Sequence, residues 1–297
     1  MKTEKNSLLG LEIKVAGHAG YCYGVERALK IAAEAIKSDR KPIFTLGPII
    51  HNPQVVASFI SEGVTSIEDI NMVDEGMVII RTHGIDPAII IKAEARGLEV
   101  IDATCPFVAK AQKRAAELMG EGYQVIIIGE RDHPEVIGIL AYTGGQALVV
   151  EEVDDLKGLP LSKKLGVVTQ TTQSLRNLTE ITSVLIKQAN VLKVYNTICH
   201  ATTQRQTSAR KLADMVDVMV VVGGKNSANT TRLAQICRKA GSKTYHLETA
   251  AELRAEWFAK AKTVGVTAGA STPEWLLDEV VQAIKLLGEV DYQRSSM

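Results

Sequence analysis

Short apolar runs recur along the chain, each followed by small and polar residues and then by apolar positions at helical spacing. Residues 11–15 run into 16–23, after which Val25, Ala28, Leu29, Ala32, Ala35 and Ile36 repeat with a helical period. Residues 43–46 lead into Gly47-Pro48-Ile49-Ile50-His51-Asn52 and a helix from about Gln54. Residues 78–80 lead into Arg81-Thr82-His83-Gly84 and a helix around 89–95. The pattern restarts at 98–101, which enters Asp102-Ala103-Thr104-Cys105-Pro106, and continues at 125–128 and 165–168. A third cycle has runs at 191–194, 218–222 and 264–266. Runs this short and this apolar predict strands covered on both faces, hence parallel strands joined by helices. The expected fold class is α/β, with three small domains that each hold a mainly parallel sheet. Their expected extents are 11–97, carrying Cys22, His51 and His83; 98–190, carrying Cys105, His133, Glu135 and Thr171; and 191–285, carrying Cys199, Ser227, Asn229 and Ser271. In such sheets ligands gather beyond the carboxyl ends of the strands, where all nine predicted strand-to-helix loops would lie.

Composition narrows the function classes. The 297 residues hold 34 Lys+Arg and 34 Asp+Glu, for a net charge of zero. Nucleic acid or an anionic membrane as main partner would demand a basic surface. Aromatics are 4% of the chain, too few for a base-stacking platform. No apolar run approaches the roughly 18 residues that span a bilayer. The first residues, Met1 to Ser7, lack the apolar core of a signal peptide and read as a short solvated tail. The expectation is a cytoplasmic protein, where its four cysteines would stay reduced.

The loops carry the chemistry. Cys22, Cys105 and Cys199 each precede a predicted helix and recur once per cycle. A helix N-terminus favours a thiolate and so metal ligation or nucleophilic work, although a small buried hydrophobe is the commoner fate of a free cysteine. Cys237 lies on an apolar helix face with Leu233 and Ile236, and is assigned to the core. Three thiolates on one centre would point to an iron–sulfur cluster or to zinc, and their residue type does not choose between them. His51, His83 and His133 sit in strand-to-helix loops; His18, His200 and His246 are taken as structural or surface groups. Three helix starts are rich in hydroxyl and amide groups: 169–172, 226–229 and 270–272. Each could be ordinary capping, but together with neutral histidines they suit a compact phosphorylated ligand. Glu135 in the first turn after His133-Pro134 is either a dipole-complementing carboxylate or a proton donor. No Walker or Rossmann glycine pattern is present. A zinc-bearing hydrolase or transferase and a non-catalytic phosphate-binding module therefore stand beside an iron–sulfur enzyme.

Several segments together resemble the 4-hydroxy-3-methylbut-2-enyl diphosphate reductases. They are Gly20-Tyr21-Cys22-Tyr23-Gly24-Val25, Asp102-Ala103-Thr104-Cys105-Pro106, Ile198-Cys199-His200-Ala201-Thr202-Thr203, Thr82-His83-Gly84, Thr169-Gln170-Thr171-Thr172 and Lys225-Asn226-Ser227-Ala228-Asn229, with Gly47-Pro48 through Asn52, Gly129 through Glu135 and Thr267 through Ser271. The resemblance covers about residues 11 to 285 in one order. It implies a monomer of three pseudo-threefold-related domains around a central [4Fe–4S] cluster held by Cys22, Cys105 and Cys199, its fourth iron open to the substrate's hydroxyl. It implies His51, His83, His133, Thr171, Ser227, Asn229 and Ser271 around the substrate, mostly at its diphosphate. Glu135, with Thr171 and a water, would relay the proton that lets the hydroxyl leave. Ferredoxin or flavodoxin would supply two electrons, and the products would be isopentenyl and dimethylallyl diphosphate. Ala228 departs from the serine common at that position, and its backbone N–H remains as the expected contact. The last predicted helix ends close to the end of the chain, without the RNA-binding-like repeats that some relatives append.

Overall fold

The computed structural model describes residues 2–5, 11–38 and 41–295. In chain order the elements are β1 (Lys2–Lys5), β2 (Glu12–Val15), α1 (Tyr23–Ile36), β3 (Ile43–Leu46), α2 (Pro53–Ser61), β4 (Val64–Ile67), β5 (Met77–Ile80), α3 (Pro87–Ala95), β6 (Glu99–Asp102), α4 (Pro106–Gly120), β7 (Gln124–Ile128), α5 (Pro134–Ala141) and β8 (Leu148–Val150). There follow β9 (Lys164–Thr169), α6 (Leu175–Leu185), β10 (Val191–Val194), α7 (His200–Ala213), β11 (Val218–Val222), α8 (Ala228–Lys239), β12 (Lys243–Leu247), β13 (Thr263–Ala268) and α9 (Glu274–Ser295). They form three sheets, ordered β4-β3-β5-β6, β10-β9-β7-β8 and β1-β2-β13-β11-β12.

All three sheets share one topology. Each is built from a first strand, a second strand on its outer side, a third on its inner side and a fourth beyond the third, all parallel. The connection from first to second strand is an α-helix, whereas the second reaches the third through short 3-10 turns such as Ile70–Met72 and Val153–Leu156. The α/β class and three mainly parallel sheets thus match expectation. The borders at 97/98 and 190/191 do not coincide with the sheets, because β6 pairs with β5 and β10 with β9. Each cysteine-bearing loop therefore follows the fourth strand of a sheet rather than the first strand of a new one. Strand pairing is a non-local choice that the linear pattern does not contain.

The chain divides into two compact units. The first comprises the chain up to Cys22, His51–Pro53 and the chain from His200; it holds the five-stranded sheet. Here β2 supplies the fourth strand, with Glu12 opposite Thr263 of β13. Alternation along β11 covers both faces: Val218, Val220 and Val222 face α9 residues such as Leu276, Val280 and Ile284, while Met219 and Val221 face Leu212 of α7 and Leu233 of α8. The N-terminal residues read as a solvated tail include β1, which pairs antiparallel with β2. The outer edge of β2 otherwise presents unpaired backbone groups, which is what an edge strand satisfies.

The second unit, Tyr23–Ile50 with Gln54–Cys199, holds the other two sheets. Val125 and Ile127 of β7 pack with Ala111, Ala115 and Leu118 of α4, and Ile126 and Ile128 pack with Leu178, Ile181 and Leu185 of α6. Among the described residues no helix is long and apolar enough to cross a membrane.

Candidate functional site

Repeated topology places equivalent loops at equivalent stations. After the fourth strands β2, β6 and β10 come Cys22, Cys105 and Cys199, each immediately before a helix. Their backbone N–H groups make the same bond in all three sheets, donating to a carbonyl in the loop after the third strand. The pairs are Cys22 with Ala270 at 3.1 Å, Cys105 with Thr82 at 2.9 Å and Cys199 with Thr171 at 3.0 Å. None of the three cysteines is in a disulfide, and all three are half-buried. Pro106 opens α4 directly after Cys105, as a first helical position allows. Cys237 is the contrast: fully buried on α8, it packs with Leu233 and Ala209, and desolvation pushes its pKa up to about 12. It stays a core thiol, as its helical spacing indicated.

In the second unit, β7 ends at Ile128 and Gly129 leads to His133, the N-cap of α5, where Pro134 takes the first turn. His133 Nδ1 accepts from the amide of Glu135 at 3.1 Å, which assigns the ring proton to Nε2. The carboxyl of Glu135 is 2% exposed. Its Oε1 accepts from the Thr171 amide at 2.6 Å and its Oε2 from the Thr171 hydroxyl at 2.9 Å. Burial pushes its pKa up to about 7, against the lowering pull of those two bonds. The His83 ring stands edge-on to His133 with centroids 5.4 Å apart. Gly84 follows with φ +67°, and a Cβ there would collide with the amide end of Gln112 on α4, so a side chain is excluded twice over. His83, His133, Glu135 and Thr171 thus share one unit and are joined in pairs.

In the first unit, β11 ends at Val222 and the chain turns through Gly223, whose φ is +140° and whose missing Cβ leaves room for the Thr272 hydroxyl. Ser227 caps α8 by accepting from the Thr230 amide. Ala228 and Asn229 form the first turn, where amides have no acceptor within the helix. Asn229 is 5% exposed, and both atoms of its side-chain amide are buried without a partner. An amide left so is costly unless a ligand or water completes it. Lys225, next to this turn, is engaged elsewhere: its ammonium lies 2.5 Å from Glu252, so neutral groups line the helix start. Ser271 is buried and donates its hydroxyl to the carbonyl of His51 at 2.9 Å. That bond ties the His51–Pro53 segment to the loop after β13. His246, taken as structural, bonds the carbonyl of Gly223 at 2.9 Å.

Two arginines and Thr197 also belong to these loops and were not singled out from the sequence. Arg27 on α1 donates to the carbonyls of Asp102 and Thr104. Arg205 on α7 donates to those of Gly20 and Tyr21. Thr197, before Cys199, exchanges hydrogen bonds with Thr169 at the end of β9. Arg205 did leave a signal, since it lies on the buried stripe formed by Thr202, Ala209 and Leu212.

Residues 13–285 match the model of the family described as LytB protein. The chain is 47% identical over 281 residues to the 4-hydroxy-3-methylbut-2-enyl diphosphate reductase of Pelobacter propionicus, covering 95% of this chain and 99% of that one. It is 49% identical over 275 residues to the protein of the same name from Geobacter sulfurreducens, covering 93% and 97%. Two solved structures are similar. One, of (E)-4-hydroxy-3-methyl-but-2-enyl diphosphate reductase, described as the terminal enzyme of the non-mevalonate pathway, is 45% identical over 92% of this chain and 99% of that one, with a TM-score of 0.68. The other, the E-1-hydroxy-2-methyl-but-2-enyl-4-diphosphate reductase of Plasmodium falciparum, is 33% identical over 91% and 86%, with a TM-score of 0.86.

Proposed function

The chain belongs to the LytB protein family, and on that premise we infer that it is a 4-hydroxy-3-methylbut-2-enyl diphosphate reductase of the non-mevalonate route to isoprenoid precursors. The allylic alcohol takes up two electrons and two protons, loses water, and yields isopentenyl or dimethylallyl diphosphate. The observation that carries the reading is the threefold recurrence of a cysteine outside any disulfide at one topological station, its amide tied each time to the neighbouring loop.

The donor set fits a [4Fe–4S] cluster with one iron left unligated by protein: three half-buried thiols, none in a disulfide. Cys22, Cys105 and Cys199 would hold it. When bound, the cluster supplies electrons and a Lewis-acidic iron at the substrate oxygen. The remaining chemistry belongs to side chains. Glu135 keeps a proton available at neutral pH because its carboxyl is buried, and the two bonds from Thr171 fix how the acid is aimed. That proton is the one the departing hydroxyl needs. His83, His133 and Thr171 in one unit, and His51, Ser227, Ala228, Asn229 and Ser271 in the other, are the proposed substrate contacts. Asn229 has two unmet bonding atoms for an anion and its surroundings. The Ser271 hydroxyl, now spent on His51, would have to turn to reach a ligand as a donor. Neutral donors at a helix start hold a diphosphate through dipoles and hydrogen bonds without a fixed countercharge. Ferredoxin or flavodoxin is the proposed electron donor, and the protein is taken as a cytoplasmic monomer.

Anaerobically purified protein tests this directly. About four iron and four acid-labile sulfide per chain, with a brown colour that air bleaches, are expected. Reduced viologen should then be oxidised when the allylic diphosphate is added. Stoichiometric zinc without sulfide, even after anaerobic reconstitution, overturns the reading.

A further inference from the structure

Two of the three cysteine-bearing peptide groups are held at both ends. Cys22 donates its amide to Ala270, and the carbonyl of the same peptide group, Tyr21, accepts from Arg205 Nη2 at 2.9 Å. The same guanidinium also holds Gly20 at 2.6 Å. Cys105 donates to Thr82, and the Thr104 carbonyl accepts from Arg27 Nη1 at 3.1 Å, with Nη2 on Asp102 at 3.3 Å. A trans peptide points its C=O and N–H in opposite directions, so gripping both fixes the plane and with it the position of the cysteine Cα from which the side chain starts. A guanidinium does this well, because its rigid fork meets two carbonyls at once and never loses its charge. Cys199 is held differently. Its amide bonds Thr171, and the approach is pinned by Thr197 to Thr169 and by the Asn196 side chain accepting from Ile198.

The two clamps also form a chain of dependence. Arg27 sits on α1, the helix launched by Cys22, and holds the loop before Cys105. Arg205 sits on α7, the helix launched by Cys199, and holds the loop before Cys22. Arg205 is 6% exposed, so its charge is committed to this contact rather than to solvent. We propose that Arg27 and Arg205 are positioning residues that fix the peptide groups from which Cys105 and Cys22 present their thiolates to the metal centre. The proposal rests on the iron–sulfur reading above.

The test uses full-length protein reconstituted anaerobically: wild type, Arg205→Met, Arg27→Met, their Lys counterparts, and Arg210→Met as a control from the exposed side of α7. The rate of iron release to a ferrous chelator is measured, with the melting midpoint of each iron-free form. Both Met variants should release iron at least about tenfold faster than wild type, as expected for losing a charge-assisted pair of bonds. Arg27→Lys should recover only part, since one ammonium nitrogen cannot occupy the two positions from which Arg27 Nη1 and Nη2 reach Thr104 and Asp102. Arg205→Lys, replacing two bonds that both come from Nη2, should recover more, and Arg210→Met should match wild type. Half-buried Arg27 keeps the test sound should Arg205→Met fold poorly. Its iron-free midpoint is expected within about two degrees of wild type. Release rates within about twofold of wild type in Arg27→Met would overturn the proposal, as would the same result in a folded Arg205→Met. A wild type that assembles neither iron nor sulfide overturns the cluster reading itself, a result distinct from a cluster that stays in the variants.

Discussion

The starts of α5 and α8 occupy the same station in their sheets, each following a first strand, yet their chemistry is opposite. At α5 the polar groups satisfy one another: His133 accepts from the Glu135 amide, and Glu135 accepts twice from Thr171. At α8 the Ser227 cap is satisfied, but Asn229 two residues on is buried with both amide atoms unpartnered. The closed network stores a proton, because an enclosed carboxyl costs less when neutral. The open one is left incomplete, as a ligand site is before its ligand arrives. In the function proposed above, one backbone device would serve proton supply in one copy and anion recognition in another, with the side chains in the first turn deciding which.

Removing the stored proton should produce the largest effect. Glu135→Gln preserves the shape and can still accept from the Thr171 amide, so cluster content should stay as in wild type while turnover falls by about 10²–10⁴, the usual worth of a general acid. Near-normal steady-state turnover in that variant would remove Glu135 from the role. The same substitution sharpens the comparison through stability. With its pKa raised from 4.5 to about 7, Glu135 binds its proton more tightly folded than unfolded. Stability from this group is therefore fully present below about pH 4.5 and is lost as pH rises through about 7, by roughly 3 kcal/mol in all. Urea midpoints across that range should fall with pH in wild type and fall less in Glu135→Gln. The smallest effect is expected at the open site. Asn229→Ala removes a buried unmet amide, so the ligand-free protein should melt no lower than wild type, while the KM for the diphosphate rises about tenfold. A lower melting point with unchanged KM would mean that the amide serves the fold instead.

What could be read from the sequence follows burial. Strands covered on both faces, such as β7 and β11, are unbroken apolar runs and stand out. The second strand of each sheet does not, because β4, β8 and β12 lie at the edges. β4 alternates two exposed residues between two buried ones, and β12 mixes polar residues throughout. Each also runs into a 3-10 turn, so no helical period follows to mark it. The loop residues were legible because cysteine, histidine and clustered hydroxyl groups at strand ends are unusual. The arginines were not, since Arg27 on a helix reads as solvated charge until its carbonyl partners, distant in sequence, are known. Whether Glu135 is a capping carboxylate or an acid was open in the sequence; its burial and its two bonds from Thr171 are what support the acid reading.

Glu12 stands opposite Thr263 in the sheet and its amide donates to the carbonyl of Lys262 at 2.9 Å, so the sheet that carries Cys22 joins strands far apart in sequence. During synthesis, segments fold in the order in which they leave the ribosome. The sheets beneath Cys105 and Cys199 have all their strands once β10 has emerged, whereas β2 must wait for β13, which is made only after both of those sheets are complete. Cys22 is thus the first of the three thiols to be translated and the last to gain its sheet. Assembly of the proposed metal centre is in this way deferred until β13 has been made, since a chain stopped before β13 lacks the strand that β2 pairs with ahead of Cys22.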